Sequence, residues 1–380
     1  MDIDAIVTQV AAAVGLAEGE AGVRDVLRVV ARGEPAPTSQ VSRLAELPVP
    51  IVTAVCNELR KRGVIDRTRP ISLTAQARDL LASRHVDGRC PQCEGLGLLV
   101  PAELKTLADE LELVAIGAPQ ARPELDQSHC TVATKIHRVL KLNESGALEG
   151  KRVILLGDDD LISVAIARFA SLTGVGAKAV AVIDTDPAVL EWIGGQASGM
   201  DVTLVEHDLR EPLPAALAGS FDVACTDPPY TVQGAGLFLS RAVDALRPGP
   251  GQHVFFSFGA RRPAEMLATQ RLIADLGLVV RSLTPNFNSY LGAGILGSSS
   301  HLYHLRSTEQ TAPLTSGDYA GPLYTADTRT GQTRPYRCAD CGTVHVVGAG
   351  APWAGIADLK AAGCPACGGA TFRPMPRGQH

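Results

Sequence analysis

Residues 151–163, KRVILLGDDDLIS, determine the fold expected for the central part of the chain. Residues 153–156 are a short apolar run typical of a strand buried on both faces. Gly157, Asp158, Asp159 and Asp160 follow it, at the position where a nucleotide-binding fold normally has a glycine-rich turn. The apolar spacing of residues 162–172 then predicts a helix. A strand, a tight turn and a helix in this order predict the first unit of a parallel α/β sheet.

The same alternation of short apolar segments and amphipathic segments continues to residue 306. Further strands are predicted at 179–183, 202–205, 223–225, 254–257 and 279–283, and a last, antiparallel strand at 301–305. This pattern predicts a Rossmann-like, doubly wound α/β sheet of the adenosylmethionine-dependent transferase type.

The order of helices, turns and cysteines outside the sheet predicts four smaller units. Helix, turn, helix, strand pair and helix follow one another in residues 22–83, which predicts a winged helix-turn-helix. The basic residues Arg60, Lys61, Arg62, Arg67 and Arg69 can contact phosphates there, but a solvated helix end and wing also explain their charge. Winged helices also serve as dimerisation or lid modules. We expect the following units: 1–85, winged-helix domain; 86–150, connecting region; 151–306, catalytic domain; 307–333, linker or arm; 334–380, zinc ribbon.

Charge and hydrophobicity along the sequence indicate which binding partners and which cellular compartment to expect. The formal net charge of −5 disfavours a general nucleic-acid-binding protein, because non-specific affinity for DNA comes from Lys and Arg. The first residues lack the basic and apolar regions of an export signal, and no apolar run approaches the ~18 residues of a spanning helix. We therefore expect a cytoplasmic protein, with no membrane partner, that forms a homodimer.

Three Cys-x-x-Cys pairs are present among nine cysteines, a spacing that indicates metal ligation in a reducing compartment. Glycine follows both C-terminal pairs, as in a metal knuckle, and four thiolates fill the coordination shell of zinc. The sequence therefore predicts a structural zinc held by Cys338, Cys341, Cys364 and Cys367. Cys90 and Cys93 form an isolated pair. Three alternatives stay open for it: metal ligation shared across a dimer, metal ligation together with His85, or no ligation. No metal is assigned to it.

Acidic residues follow the predicted strands at the edge where open α/β sheets bind ligands. Gly157 and Asp184 are expected to bind the cofactor, Asp184 through the ribose hydroxyls, and Asp208 is placed to approach the adenine amino group. An Asp at such a position can also be only the N-cap of the next helix. Taken together, the four acidic strand ends predict a nucleoside site.

The tetrapeptide Asp227-Pro228-Pro229-Tyr230 follows the fourth strand and predicts an amine site. Two prolines remove backbone donors, so the carbonyls and the Asp227 carboxylate are free to accept hydrogen bonds from an amine. Tyr230 offers its ring face to a cation or a flat group.

Three consecutive aspartates indicate which sulfonium nucleotide is the donor. A methionine carboxylate about 4 Å from Asp159 would cost roughly 4 kcal/mol at an effective dielectric constant of about 20. The sequence therefore favours decarboxylated S-adenosylmethionine, which lacks that carboxylate, and a cationic acceptor such as a polyamine.

Several stretches in this order resemble the branched-chain polyamine synthases, N4-bis(aminopropyl)spermidine synthases that are aminopropyltransferases: PELDQ at 123–127, GDDDLIS at 157–163, DLREPLP at 208–214, DPPYT at 227–231 and NFNSY at 286–290. The resemblance covers about residues 20–306 and includes CPQCEG at 90–95, but not the terminal cysteine module. It implies attack by the secondary amine of spermidine on the carbon next to the sulfonium, with release of methylthioadenosine.

The resemblance also suggests roles for individual carboxylates. We expect Asp159 to act as the base, Asp160 and Asp227 to orient the amine, and Asp158 to lie near the aminopropyl group of the donor. Asp126 and Gln127 would close over the polyamine, although a helix N-cap before residues 132–140 also explains them. Asn286 to Tyr290, together with 291–297, would form a mobile loop over the site.

Two other functions remain open from the sequence. Asp-Pro-Pro-Tyr also resembles the motif of enzymes that methylate exocyclic amines of nucleic-acid bases with S-adenosylmethionine, which the acidic net charge disfavours. A transcriptional regulator with a degenerate Rossmann domain would leave the aspartates without a function. Within the favoured reading, other polyamines or a small amine fit the acceptor site equally well.

Overall fold

The computed structural model describes residues 1–16, 18–82, 90, 92–93, 95–197, 199–259, 263–292, 298–325, 327, 334–348, 351–353 and 355–375.

The N-terminal unit is a bundle of five helices with its own apolar core. Two isolated antiparallel bridges, Ala36 to Ile71 and Ile65 to Leu73, join the segments between the helices. The helices are α1 Ile3–Val14, α2 Gly19–Gly33, α3 Thr38–Ala45, α4 Val49–Lys61 and α5 Ala75–Ala82.

A seven-stranded sheet forms the centre of the molecule, with the order β3-β2-β1-β4-β5-β7-β6. β1 to β5 are parallel, and β7 pairs antiparallel with β5 and β6. The predicted α/β sheet and its antiparallel last strand are therefore confirmed. The strands are β1 Arg152–Leu156, β2 Ala179–Asp184, β3 Val202–Glu206, β4 Val223–Thr226, β5 His253–Gly259, β6 Leu278–Ser289 and β7 Ser299–Ser307.

Helices cover both faces of the central part of this sheet, so strands β1, β2, β4 and β5 are buried, whereas the edge strands β3 and β6 are partly exposed. Four helices pack on one face: α6 Lys105–Ile116, α7 Val132–Glu144, α8 Ile162–Thr173 and α9 Pro187–Gln196. Two helices, α10 Val232–Ala245 and α11 Pro263–Asp275, lie on the other face. The direction of connection reverses between β1 and β4, so the turns after these two strands meet at the switch point of the sheet.

The segment after β7 crosses the face covered by α10 and is held there by a buried cation. The Arg241 guanidinium is fully buried and donates to the carbonyls of Thr315 and Gly317, at 3.0 and 2.7 Å, and to those of Leu209 and Arg210, at 2.9 and 3.3 Å. Arg241 therefore fixes this arm beside the turn that follows β3.

The C-terminal unit is a three-stranded antiparallel sheet of β8 Arg334–Cys338, β9 Val344–Val347 and β10 Phe372–Pro374, with the short helix α12 Ile356–Ala362. Its small apolar core includes Cys338 and Cys364.

Within the described part of the chain, no helix on its own has the length and apolar character to cross a membrane. α1 and α2 meet those two criteria only as a pair, which is bent by 115°.

Two buried histidines on neighbouring strands should make the stability depend on pH. The rings of His253 and His304 stack 5.1 Å apart, with Nδ1 of His253 3.0 Å from Nε2 of His304. Burial, and secondly the Arg306 charge, lower the pKa of each to about 4. Since unfolded histidine titrates near ~6.5, the unfolded chain binds more protons below that pH. We expect this pair to lower the melting temperature as the pH drops from about 6.5 towards 4, and to add no pH dependence above about 6.5. The contribution is measured as the difference from a variant that lacks one of the rings.

Thermal unfolding measured from pH 4.5 to 7.5 checks this expectation. His304→Phe should lose part of the dependence, because one titrating ring is gone while the stack on Phe255 remains. His207→Gln is the control, since this ring makes an exposed hydrogen bond to the carbonyl of Pro212. Equal slopes in all three proteins would contradict the assignment.

Candidate active site

Two adjoining cavities lie at the switch point of the sheet and share Gly157, Asp159 and Asp227. The larger, with about 550 Å³ of open space, is also lined by three further aspartates that the sequence singled out, Asp126, Asp184 and Asp208. Residues of the turns and the arm, among them Gln127, Pro229 and Tyr324, complete its lining. The smaller, of about 460 Å³, extends under Arg138 between apolar side chains of α7, α8 and the sheet. We call the larger one the acidic cavity. An elongated cationic ligand and a nucleoside fit it better than the smaller cavity, because the smaller cavity contains the fixed guanidinium of Arg138.

Asp158 has a structural role at the start of α8. Its carboxylate accepts hydrogen bonds from the backbone N–H groups of Ile162 and Ser163, at 2.7 and 3.0 Å, and so caps α8. The residue is buried, and burial raises its pKa to about 7. We therefore propose that Asp158 is a capping residue, in place of the position beside the aminopropyl group that the sequence suggested.

Asp160 is held by cations of α7. Its Oδ2 lies 2.7 Å from Nη1 of Arg138, its Oδ1 accepts the N–H of Cys130, and Lys135 donates to its carbonyl. Burial opposes ionisation, but the charges of Arg138 and Lys135 outweigh it and lower the pKa of Asp160. Asp160 is thus an ionised anchor for Arg138, and each of its carboxylate oxygens already accepts one hydrogen bond within the protein.

Asp227 has one occupied and one free oxygen. Its Oδ2 accepts Nη2 of Arg138 at 2.7 Å and the hydroxyl of Tyr290 at 2.5 Å. Its Oδ1 is buried and has no hydrogen-bond partner among the described residues. Burial raises the pKa of this carboxyl to about 6, even though Arg138 opposes the shift. A buried acceptor left open in this way is suited to a donor supplied by a ligand.

Asp159 is the least compensated of the three consecutive aspartates. Among the residues that the structure describes, its Oδ2 accepts a single hydrogen bond, from the backbone N–H of Ser128 at 3.1 Å. Desolvation and the nearby carboxylates of Asp160, Asp184 and Asp227 raise its pKa well above that of an ordinary aspartate. A carboxyl that binds a proton more tightly than usual, and that borders both cavities, is suited to accept a proton from an amine.

The nucleoside end of the acidic cavity contains Asp184 and Asp208. The oxygens of Asp184 accept the N–H groups of Asp158 and Asp186, at 3.0 and 2.9 Å, which orients the carboxylate at the end of β2. Asp208 Oδ1 accepts the N–H of Arg210 at 2.9 Å. Each carboxylate oxygen has a second lone pair for a ligand hydroxyl or amine.

The Asp-Pro-Pro-Tyr turn links the site to α10. Pro228 and Pro229 are buried, and the carbonyl of Pro229 accepts the N–H of Thr231 at 2.7 Å, which leaves this oxygen one lone pair for a ligand. Desolvation, and then the charge of Asp227, raise the pKa of Tyr230 well above its usual value. Tyr230 therefore stays neutral beside the carboxylates.

The arm after β7 completes the acidic cavity, which the sequence did not predict. Asp126 Oδ2 accepts the N–H and hydroxyl of Thr325, at 2.8 and 2.9 Å, and the N–H of Tyr230 at 3.3 Å. Tyr324 lines the cavity, and the Arg210 guanidinium lies 5.3 Å from its ring centre. Gln127 Oε1 accepts the N–H of Arg122 at 2.9 Å. Asp126 and Gln127 thus join segments that enclose the cavity.

The expectation of a mobile loop from Asn286 to Tyr290 is wrong. Residues up to Ser289 continue strand β6, and Phe287, Asn288 and Tyr290 are buried. The Asn288 side chain accepts Nε of Arg138 at 2.7 Å and donates to the hydroxyls of Ser257 and Ser300. Pairing with β7 resumes at Asn288 after a register shift, and these buried hydrogen bonds hold Asn288 in place there. The remainder of the expected loop, 293–297, lies outside the described residues.

The four C-terminal cysteines come together as the spacing predicted. Their Sγ atoms all lie within 4.8 Å of one another, and the pairs Cys338/Cys367 and Cys341/Cys364 are each 3.6 Å apart. A tetrahedral zinc with bonds of ~2.3 Å requires S–S separations of roughly 3.8 Å, so the group fits this metal. Nε2 of His345 lies 3.2 Å from Sγ of Cys364.

The basic residues at the end of α4 are occupied within the N-terminal unit, whereas Arg67 and Arg69 are exposed. Lys61 and Arg62 contact Glu58, at 2.5 and 2.6 Å, and Arg60 donates to the Asp66 carbonyl and to Asn57. These contacts weaken the argument for phosphate binding by α4.

Comparisons with known proteins agree on one family. Residues 107–310 match the model of the branched-chain polyamine synthase A C-terminal domain. An N(4)-bis(aminopropyl)spermidine synthase of Thermus thermophilus is 32% identical over 257 residues, or 67% of this chain and 73% of that protein. An uncharacterized protein of Methanocaldococcus jannaschii is 34% identical over 355 residues, or 90% and 87%. A similar crystal structure is that of a branched-chain polyamine synthase mutein from Thermus thermophilus, in complex with N4-aminopropylspermidine and 5'-methylthioadenosine. It superposes with a TM-score of 0.67 at 26% sequence identity, and the match covers 86% of this chain and 99% of that chain.

Proposed function

The chain belongs to the branched-chain polyamine synthase family, and we propose that it transfers the aminopropyl group of decarboxylated S-adenosylmethionine to the secondary amine of a polyamine such as spermidine. The products are a branched polyamine and methylthioadenosine. The observation that carries the proposal is the pair of uncompensated carboxyls, Asp159 and the free Oδ1 of Asp227, at the edge of the acidic cavity.

The reaction needs an amine that has lost a proton. The nitrogen lone pair attacks the aminopropyl carbon bonded to sulfur, a C–N bond forms, and the C–S bond breaks with its electron pair going to sulfur. The proton of the attacking ammonium passes to the Asp159 carboxylate, which binds protons tightly for a carboxylate. Asp227 Oδ1 accepts a second N–H and orients the amine, while Arg138 and Tyr290 hold its other oxygen.

The remaining site residues bind the two substrates. We assign the ribose to Asp184, the adenine to Asp208 and the face of Tyr324, and the turn beneath the nucleoside to Gly157. Asp126 and Gln127, held by the arm and by Arg122, border the polyamine. Asp160 acts indirectly, by fixing Arg138.

A donor comparison tests this function. Purified protein is incubated with spermidine and either decarboxylated S-adenosylmethionine or S-adenosylmethionine, and the nucleoside product is identified. We expect methylthioadenosine from the decarboxylated donor. We expect kcat/KM for the intact donor to be lower by roughly a thousandfold, the factor that corresponds to ~4 kcal/mol of repulsion.

The other outcome of that assay has a definite meaning. Release of adenosylhomocysteine, with a methylated amine or base, would identify an amino-methyltransferase and contradict the proposal. A panel of other polyamines and small amines, assayed with the same donor, defines the acceptor.

The flanking units have supporting roles in this proposal. We infer that Cys338, Cys341, Cys364 and Cys367 bind a structural zinc, whose filled shell takes no part in the chemistry. We also infer that the N-terminal unit is a winged helix used for protein contacts, which the pairing of Lys61 and Arg62 with Glu58 supports. The reduced cysteine pairs suit the cytoplasm.

A further inference from the structure

Asp159 and Asp227 are both suited to accept a proton from an amine, whereas one transfer requires a single base. A secondary ammonium carries two protons on the attacking nitrogen. In the proposed reaction Asp159 accepts the first proton, and the second stays on the nitrogen, bonded to Oδ1 of Asp227. Once the new C–N bond has replaced the first proton, only the proton at Asp227 remains. A second transfer to the same nitrogen therefore has to remove that proton.

A chain of hydrogen bonds behind the site can run in only one direction. It begins at Arg138, whose Nε donates to Oδ1 of Asn288 at 2.7 Å. Because a guanidinium can only donate, the Asn288 amide is turned with its NH2 group towards the hydroxyl of Ser300, at 2.8 Å. Ser300 accepts this hydrogen bond, so its own proton is directed to the hydroxyl oxygen of Tyr290, 2.7 Å away.

The chain ends on one oxygen of Asp227. Tyr290 donates its proton to Oδ2 of Asp227 at 2.5 Å, and Nη2 of Arg138 donates to the same oxygen at 2.7 Å. Both lone pairs of Oδ2 are thus used. A proton that reaches this carboxyl can bind only to Oδ1, which is buried and has no hydrogen-bond partner within the residue ranges that the structure describes. Burial also raises the pKa of Asp227 above its ordinary value, which favours the uptake of a proton.

This chain cannot carry such a proton away. Each member already donates towards Asp227, and a relay in the opposite direction would require the NH2 group of Asn288 to accept a proton. A proton on Oδ1 therefore leaves by way of the cavities that Asp227 borders. Asp227 is arranged as a terminal proton acceptor that faces the ligand side of the site.

We propose that Asp227 is the base for a second aminopropyl transfer to the nitrogen that received the first, an inference that rests on the proposed function. The tertiary ammonium gives its remaining proton to Oδ1 of Asp227, and the freed lone pair attacks the aminopropyl carbon of a second donor molecule. A C–N bond forms, and the C–S bond breaks with its electron pair going to sulfur. The products are a quaternary ammonium and a second methylthioadenosine.

Two acceptors separate the two bases. Spermidine has a secondary amine, and N4-aminopropylspermidine is the tertiary amine that one transfer to this nitrogen produces. Each acceptor is incubated with decarboxylated S-adenosylmethionine, and methylthioadenosine and the polyamine products are quantified. We expect the wild-type protein to convert both acceptors, the tertiary amine to a quaternary ammonium.

Asp227→Asn should act mainly on the tertiary acceptor. Arg138 and Tyr290 donate to the position of Oδ2, so the amide oxygen lies there and an NH2 group replaces the proton-accepting Oδ1. We expect kcat with N4-aminopropylspermidine to fall by about 10² to 10⁴-fold. With spermidine it should fall by roughly tenfold, because that reaction loses only an orienting hydrogen bond. Asp159→Asn should show the reverse preference, and Asp244→Asn, at a carboxyl that lines neither cavity, should leave both rates unchanged.

Tyr290→Phe tests the chain with both carboxyls in place. The variant removes a donor that stabilises the Asp227 carboxylate, so the pKa of Asp227 should rise. The low-pH limb of kcat/KM for the tertiary acceptor should move up by about one pH unit. The limb for spermidine should stay, because it depends on Asp159. Arg138 and Asp160, the charged groups beside Asp227, are the same in this variant.

Ser299→Ala is the matched control for the pH profile, because this neighbouring hydroxyl donates to Asn286 instead. Equal losses with both acceptors in Asp227→Asn, or an unshifted limb in Tyr290→Phe, would overturn the assignment of Asp227. A wild-type protein that converts spermidine but not N4-aminopropylspermidine would overturn it as well, while the proposed function stands. Absence of methylthioadenosine with either acceptor would contradict the proposed function and the second base together.

Discussion

Asp159→Asn should lower kcat for aminopropyl transfer by about 10² to 10⁴-fold, the range that a positioned general base contributes. Asparagine keeps the shape of the side chain and can still accept the N–H of Ser128 through its oxygen. It cannot accept the proton of the attacking ammonium. The loss should therefore appear in kcat, while the KM for the donor changes little.

The same substitution should leave the fold intact or strengthen it. Burial and three neighbouring carboxylates raise the pKa of Asp159 above its value in the unfolded chain, so ionising this group costs the folded state stability as the pH rises. The neutral amide avoids that cost, and we expect the melting temperature at pH 8 to be equal to or above that of the wild type.

Steady-state kinetics with decarboxylated S-adenosylmethionine and spermidine, together with melting curves, measure both effects. Asp244→Asn is the matched control, since this carboxyl on α10 is partly buried, contacts Arg241 and does not line either cavity. Full turnover by Asp159→Asn, or a lower melting temperature that accounts for the lost activity, would contradict the assignment of Asp159 as the base.

The position of the site was predictable from the sequence because it depends on local patterns. Apolar strands followed by acidic turns fix which residues meet at the end of a parallel sheet, and Asp159, Asp184, Asp208 and Asp227 all line the acidic cavity there. Cysteine spacing likewise predicted the C-terminal group. These signals come from residues a few positions apart, whose relative placement the backbone geometry determines.

The separate roles of the three consecutive aspartates were not predictable. Asp158 turns towards the N-terminus of α8, Asp160 towards Arg138, and Asp159 towards the cavities, and only the folded chain decides this. The contact of Thr325 with Asp126 spans 199 residues of sequence. The mobile loop was predicted from the glycine-rich residues that follow Tyr290, whereas the polar contacts of Asn288 with other segments keep the residues up to Ser289 in a strand.

Arg138→Met should destabilise the protein by about 3 to 5 kcal/mol, the cost of leaving buried partners of an ion pair without their counter-charge. Arg138 is about 90% buried and holds Asp160 and Asp227 at 2.7 Å each, with Asn288 and Tyr290 completing its hydrogen bonds. Methionine fills a similar apolar volume but leaves two carboxylates facing one another. Activity should also fall, because Asp227 loses the group that orients its free oxygen.

Urea unfolding followed by circular dichroism, at pH 8 and pH 5.5, measures this loss. Removing the guanidinium takes away the charge that lowers the pKa of Asp160, so protonation should relieve part of the deficit at the lower pH. Adding Asp160→Asn to Arg138→Met should recover part of the stability for the same reason. Arg247→Met is the control, because its pair with Asp222 is 49% exposed on the arginine side and should be worth no more than about 1 kcal/mol. If Arg138→Met and Arg247→Met lose equally little free energy of unfolding, Arg138 does not organise the carboxylates. The free oxygen of Asp227 must then be oriented by Tyr290 alone.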